Sequence, residues 1–90
     1  MDWTFKVERM TVLEDPTKST LALTDLVVND GMLIRGFSVN TGKTGPFVGF
    51  PSKLGKDEKW YEQVDFFDKR VRKQMVETII AEYEARTKKA

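Results

Sequence analysis

The hydrophobic residues in the first half of the chain alternate with polar ones, as expected for antiparallel strands that bury one face. Between residues 3 and 13 the alternation shifts by one position near its middle, which predicts a strand with a β-bulge. Residues 21–29 and 32–40 are rich in Leu, Val, Ile and Phe. The pair between them, Asp30-Gly31, is favoured in type I′ turns, so these two segments are predicted to form a hairpin.

Shorter segments surround this hairpin. Residues 14–19 form a polar cluster containing Pro, Asp and Ser, which predicts a turn. Residues 47–50 are an apolar run that Pro51 prevents from continuing as a central strand. Residues 53–59 are then expected to form a charged loop, and alternation at residues 60–64 predicts a fifth short strand.

The last third of the chain has helical periodicity. No Gly or Pro interrupts residues 66–89, and Asp65 or Asp68 is suited to cap the helix start. The apolar stripe consists of Val71, Met75, Ile79 and Tyr83. Two supporting i,i+4 pairs are predicted, Glu82 with Arg86 and Glu84 with Lys88. The chain is therefore expected to be one α+β domain over residues 1–90, an antiparallel β-meander of about five strands with one long C-terminal α-helix.

Composition narrows the function. The 90 residues contain no Cys and no His, so the commonest metal ligand, general base and thiol nucleophile are absent. We predict neither an enzyme nor a cofactor, and expect no small-molecule substrate. The start has no signal-peptide pattern and no apolar run has the ~20 residues of a membrane span, so a cytoplasmic protein without membrane contact is expected. A domain this small without disulfides often gains stability by pairing with a second copy.

One segment resembles a nucleotide-binding motif. Gly42-Lys43-Thr44 matches the end of a phosphate-binding P-loop. The first glycine of that motif would fall at residue 37, which is Phe37, and the segment leads to Pro46 and a predicted strand instead of a helix. We interpret it as an ordinary loop.

The charges are more informative, although the net charge is only +1. Four cations fall in the first turns of the predicted helix, where they oppose the helix dipole. A bound phosphate would compensate for them, and the alternative is a solvated face partly neutralised by Asp65 and Asp68. Three further lysines lie nearby in sequence. The candidate anion-binding residues are Lys53, Lys56, Lys59, Lys69, Arg70, Arg72 and Lys73.

Aromatic residues between the sheet and the helix offer stacking platforms for unpaired bases. Aromatics at such a junction usually pack in the core. We therefore favour packing for Trp60, Phe66 and Phe67, and favour it less strongly for Tyr61.

A family resemblance is carried by the run Phe47-Val48-Gly49-Phe50-Pro51-Ser52-Lys53 and by a helix that ends Ile80-Ala81-Glu82-Tyr83. These features and the order of the elements resemble the SpoVG family of bacterial proteins, over roughly residues 5–86. The resemblance implies a small homodimer that joins sheets and binds DNA and RNA as a regulator connected with septation, sporulation and virulence gene expression.

The resemblance also implies site residues. In the family a basic pair follows Pro-Ser; here its first member is Lys53, whereas Leu54 departs from the pattern. Basic residues near the helix start are also implicated, and Arg72 is the best matched of them. Additional cations at residues 69, 70 and 73 offset the loss at 54 in this hypothesis. The alternative is a protein-interaction module that docks an acidic partner or pairs strand edges without binding nucleic acid.

Overall fold

The computed structural model describes residues 2–14 and 19–87. Four strands form an antiparallel sheet in the order β1-β2-β3-β4. They are β1 (Phe5–Val12), β2 (Thr20–Val28), β3 (Met32–Asn40) and β4 (Phe47–Gly49). A second sheet pairs β5 (Ser52–Leu54) with β6 (Trp60–Glu62), and the helix α1 spans Lys69–Thr87. The predicted α+β class is confirmed. The turn predicted at 14–19 lies mostly outside the described residues. Lys88, the predicted partner of Glu84, also lies outside them.

The predicted fifth strand exists as β6, but it does not extend the four-stranded sheet. It pairs with β5, a segment whose Lys53 and Leu54 were expected to begin a charged loop. Pro51 lacks the N–H that a ladder requires, and the chain beyond it pairs with itself. The backbone N–H of Gln63 donates to the carbonyl of Pro51 at 2.6 Å, which closes the base of this β5–β6 hairpin.

The first hairpin has the predicted pairing with a turn one residue earlier than expected. β1 is bulged between Val7 and Arg9, as the shifted alternation predicted. In the turn, Asn29 and Asp30 have φ of 51° and 54°, and the N–H of Gly31 donates to the carbonyl of Val28 at 3.0 Å. Positive φ at both central residues is the type I′ pattern, so the predicted centre at Asp30-Gly31 is wrong by one position.

Asn29 explains the shift, because Asn tolerates positive φ better than most residues. Its side-chain oxygen accepts hydrogen bonds from the backbone N–H of Thr4 at 2.7 Å and from the Thr4 hydroxyl at 3.3 Å. The N–H of Asn29 also donates to the carbonyl of Thr4 at 2.8 Å. The turn thus ties the start of β1 to the end of β2.

The core lies between one face of the four-stranded sheet and the apolar stripe of α1. Phe37, the largest fully buried side chain, contacts Phe50 edge to face, with 5.2 Å between ring centroids. The helix buries Val71, Met75 and Ile79, while Tyr83 is partly buried, so the predicted stripe is confirmed. By contrast, every residue of β5 and β6 is exposed. The second sheet therefore contributes no side chain to the core.

The helix start is capped as predicted, by Asp68. One carboxylate oxygen of Asp68 accepts a hydrogen bond from the backbone N–H of Arg70 at 2.9 Å, the usual geometry of an N-cap. Near the other end, the expected pair of Glu82 and Arg86 is present at 2.6 Å.

Candidate functional site

The β5–β6 hairpin brings two of the candidate lysines to one exposed aromatic ring. Lys53 lies opposite Tyr61 in the strand register, and residues directly opposite in an antiparallel pair project from the same face. Lys53, Lys56 and Tyr61 line a shallow cavity of about 290 Å³. Tyr61 is half-exposed there. We call this group, Lys53, Lys56 and Tyr61, the hairpin cluster.

The ring of Tyr61 is fixed by the turn of the hairpin. Its hydroxyl donates to the carboxylate of Asp57, whose other oxygen accepts from the backbone N–H of Lys59 at 3.2 Å. Gly55 permits this arrangement, because a Cβ there would lie 2.7 Å from the Tyr61 ring and 2.8 Å from Asp57. The hydrogen bond from Tyr61 is the main reason that the pKa of Asp57 is below its ordinary value, and the same bond raises the pKa of Tyr61.

The cations at the helix start do not form one cluster. Lys69 and Lys73 are one helical turn apart on the outer side of α1, and neither forms an ion pair within residues 2–14 and 19–87. Arg70 instead pairs with Asp68, donating from Nε at 3.1 Å and from a terminal nitrogen at 2.9 Å. This pairing lowers the pKa of Asp68 and raises that of Arg70. Of the cations at the start of α1, Lys69 and Lys73 are therefore the two without an ion pair to any described residue.

Arg72 reaches towards β6. Its two terminal nitrogens donate to the two carboxylate oxygens of Glu62, at 2.9 and 3.3 Å. Its guanidinium carbon lies 4.1 Å from the centroid of the Phe50 ring and 5.8 Å from that of Phe66. Arg72 thus joins the hairpin, the end of the main sheet and the helix.

One face of the β5–β6 hairpin approaches the start of α1. Lys53 lies on the opposite face. Tyr61 and Glu62 are consecutive in β6, so their side chains project from opposite faces. Since Glu62 reaches Arg72, the hairpin cluster lies on the other face of the hairpin. The structure therefore separates the candidate residues into two groups. Lys59, at the end of the hairpin turn, is exposed between β5 and β6.

The aromatic predictions are partly wrong. Phe66 packs against the core and meets Phe50 edge to face, with 5.5 Å between centroids, as expected. Trp60 is 69% exposed and Phe67 is fully exposed, contrary to the expected packing. Trp60 stays outside the core because β6 pairs with β5 instead of β4. Phe67 follows Phe66 in the segment before α1, and only one of the two side chains faces the sheet.

No pattern in the sequence predicts Glu62 as the partner of Arg72 or Asp57 as the partner of Tyr61. Both contacts depend on the β5–β6 hairpin, which brings together residues with no shared periodicity. The Gly42-Lys43-Thr44 segment lies between β3 and β4, so the helix that a P-loop needs is absent from this position. Across the described ranges, no three Asp or Glu residues form a group suited to a metal ion. No helix in those ranges has the length and apolar character needed to cross a membrane.

Comparisons with known proteins show to which family the chain belongs. No curated protein matches the chain. The family model of SpoVG matches residues 4–85, which agrees with the extent expected from the sequence resemblance. Because this match covers nearly all of the 90 residues, the chain belongs to the SpoVG family.

Proposed function

We propose that the chain is a non-catalytic regulator that binds nucleic acid, DNA or RNA, and acts as a cytoplasmic homodimer in the processes that the SpoVG family name suggests, septation and sporulation. Two findings support the proposal. One is membership of the family, and the other is the arrangement of lysines and exposed aromatic residues on the β5–β6 hairpin.

The hairpin cluster is the observation that carries the proposal. Two lysines that line one cavity with a half-exposed ring suit a nucleotide, whose phosphate would attract Lys53 and Lys56 while its base stacks on Tyr61. Asp57 holds the ring through the Tyr61 hydroxyl, and the side chain of Tyr61 is half-exposed. Trp60, on the other face of the same hairpin, offers a second exposed ring.

Further cations lie outside the hairpin cluster. Lys59 lies in the same turn, and Lys69 and Lys73 project from the start of α1. In our proposal these side chains bind neighbouring phosphates and offset the absence of a cation at Leu54. Arg70 contributes less, because Asp68 already accepts two hydrogen bonds from its guanidinium.

The test is binding of labelled random-sequence single-stranded DNA, duplex DNA and RNA at several salt concentrations. Phosphate binding releases counterions, so log K should fall linearly with log salt, with a slope of about −0.7 to −0.9 for each contacted phosphate. Replacing both Lys53 and Lys56 by Ala should weaken binding about tenfold or more and reduce the slope by about 1–2.

A matched control carries the same loss of charge elsewhere. Lys6 and Lys43 are exposed and lie outside the hairpin cluster, so the variant Lys6→Ala with Lys43→Ala should bind nearly as well as the unmodified chain. Equal loss in both double variants would show that only total charge matters. Absence of binding at low salt for all three nucleic acids, together with binding of poly-glutamate, would replace our proposal with the docking of an acidic protein.

A further inference from the structure

The β5–β6 hairpin needs an external support to hold a defined position. All residues of β5 and β6 are exposed, so no buried apolar side chain anchors them. Isolated two-stranded hairpins have marginal stability in water. The hydrogen bond from Gln63 to Pro51 closes the base of the hairpin but makes no contact with the helix.

Arg72 supplies such a support from the helix. Its planar fork binds both oxygens of Glu62 on β6, and one face of the guanidinium lies over the ring of Phe50, which is buried. The fork geometry fixes direction as well as distance, which a lysine ammonium does not. Within the described residues, this is the ion pair that joins the hairpin to α1.

We propose that Arg72 is a positioning residue of the interface: through Glu62 and the Phe50 ring it holds the β5–β6 hairpin, and with it the hairpin cluster, at a fixed angle to Lys69 and Lys73. This inference rests on the proposed function and gives Arg72 a role different from that of a phosphate contact.

The guanidinium of Arg72 is already bound by Glu62, and for this reason we assign Arg72 a different role from the phosphate-binding lysines. Both terminal nitrogens already face a carboxylate, and the guanidinium packs on an aromatic ring. A phosphate that took the place of Glu62 would lie beside the displaced carboxylate, and like charges repel. Glu62 therefore serves binding as the partner of Arg72, although its own charge opposes an incoming anion.

The variant Glu62→Gln should change the affinity for nucleic acid in opposite directions, depending on whether Arg72 positions the hairpin or binds phosphate. It removes a negative charge, so a surface governed by charge alone, or by an Arg72 freed for phosphate, would bind nucleic acid more tightly. If Arg72 positions the hairpin, the variant weakens binding, and we expect about a fivefold loss. The matched control is Glu77→Gln, which removes an exposed carboxylate from α1, the helix of Arg72, and breaks no ion pair to any described residue. Tighter binding by Glu62→Gln would overturn the proposal.

A double variant repeats the test at constant net charge. Arg72→Gln combined with Glu62→Gln has the same net charge as the unmodified chain. A positioning pair predicts a loss close to that of Glu62→Gln alone, because the first change has already broken the link between the hairpin and α1. Recovery of unmodified affinity in the double variant would overturn the proposal.

The salt slope distinguishes positioning from direct contact. Arg72→Gln should weaken binding at every salt concentration without changing the slope, because no phosphate contact is lost. A fall in the slope of about 0.7–0.9 would identify Arg72 as a phosphate contact and overturn the proposal. Arg72→Lys keeps the charge but loses the fork, and should bind as weakly as Arg72→Gln.

Amide hydrogen exchange tests the support without nucleic acid. In Glu62→Gln the amides of Gly55, Glu58 and Gln63 should exchange faster, while those of β2 and β3 should be unchanged. Unchanged exchange in the hairpin would overturn the proposal whatever the binding result. If the unmodified chain binds no nucleic acid, the proposed function fails, and this measurement still decides whether Arg72 holds the hairpin.

Discussion

Single residues of this chain have their properties set by one or two close neighbours. Phe37 is fully buried between the sheet and the helix, whereas Phe47, on the adjacent strand, is half-exposed. Asp57 and Tyr61 share one hydrogen bond that changes the pKa of both groups in opposite directions. Two phenylalanines therefore differ in burial because of their neighbours. One hydrogen bond likewise shifts the pKa of its donor and of its acceptor in opposite directions.

Phe37→Leu should lower the free energy of unfolding by about 1–2 kcal/mol, because it leaves unfilled space beside the ring of Phe50. Urea denaturation followed by circular dichroism measures the change. Phe47→Leu makes the same substitution at a half-exposed site and should cost less than about 0.5 kcal/mol. Equal effects would mean that Phe37 is not a core residue.

Tyr61→Phe should raise the pKa of Asp57 towards its ordinary value, because the donor that stabilises the carboxylate is lost. With the hydroxyl present, Asp57 stabilises the hairpin above its ordinary pKa, and this contribution disappears as the pH falls through the lowered value. Tyr61 stabilises it below the ordinary tyrosine pKa, and loses that effect as the pH rises through the raised value.

Carbon-13 NMR titration of the carboxyl groups measures this change. Asp68 serves as the internal control, since Arg70 and not Tyr61 lowers its pKa. A pKa of Asp57 that is identical in Tyr61→Phe and in the unmodified chain would contradict the hydrogen bond.

Elements of the fold depend on a few residues at their ends. The hairpin of β2 and β3 turns through two residues with positive φ, and Asn29 additionally binds Thr4 before β1. At Gly36, φ is 98°, next to the point where the pairing of β2 and β3 shifts. The helix begins at the cap formed by Asp68. The backbone conformation or hydrogen bonds at each of these positions determine where a strand or helix begins, turns or changes its pairing.

Asn29→Ala should destabilise the fold by about 1–3 kcal/mol, because Ala is strained at positive φ and cannot accept the hydrogen bonds from Thr4. Asn29→Gly removes the strain but also loses those bonds, so its effect should be smaller. Thermal unfolding of the two variants measures the difference. An equal or greater loss in Asn29→Gly would show that the backbone conformation carries no cost.

Asp68→Ala should lower the melting temperature by about 2–5 °C through loss of the cap on α1. Asp68→Asn keeps an oxygen that caps the helix while removing the charge that Arg70 binds, so it should change the melting temperature much less. Should both variants melt alike, the ion pair and not the cap would be the stabilising contact.

Elements with a clear periodicity could be predicted from the sequence, and contacts between distant segments could not. The alternation in β1 gave the bulge, and the four-residue spacing in α1 gave the buried stripe. The β5–β6 hairpin, the exposure of Trp60 and the pair of Arg72 with Glu62 all follow from where the chain goes after Pro51. Alternation at residues 60–64 predicted the strand β6, but no periodic pattern shows which strand it pairs with.

At the scale of the whole molecule, the described residues leave several large apolar side chains exposed. They include Leu23, Met32, Leu33, Trp60 and Phe67. The edges of the main sheet are β1, which is bulged, and β4, which has three residues. The exposed apolar side chains favour the expected association of two copies, whereas the bulge and the short edge strand oppose pairing at the sheet edges.

Light scattering at micromolar concentration should therefore give the mass of a dimer, about 21 kDa, in which the second copy covers part of this apolar surface. Our expectation places the contact at sheet edges, so the dimer mass should persist in Phe67→Ser, which changes an apolar side chain before the helix. A monomer mass for the unmodified chain would contradict the dimer, and a monomer mass for Phe67→Ser alone would move the contact to the helix start.

The separation of the exposed hairpin from the core has a consequence for engineering. Residues 52–62 leave and rejoin the scaffold at neighbouring points, where Gln63 bonds to Pro51, and all residues of β5 and β6 are exposed. They therefore form an exchangeable cassette. Replacing them with hairpins of equal length that keep a carboxylate at the position of Glu62 should yield libraries with new binding specificities on an unchanged scaffold.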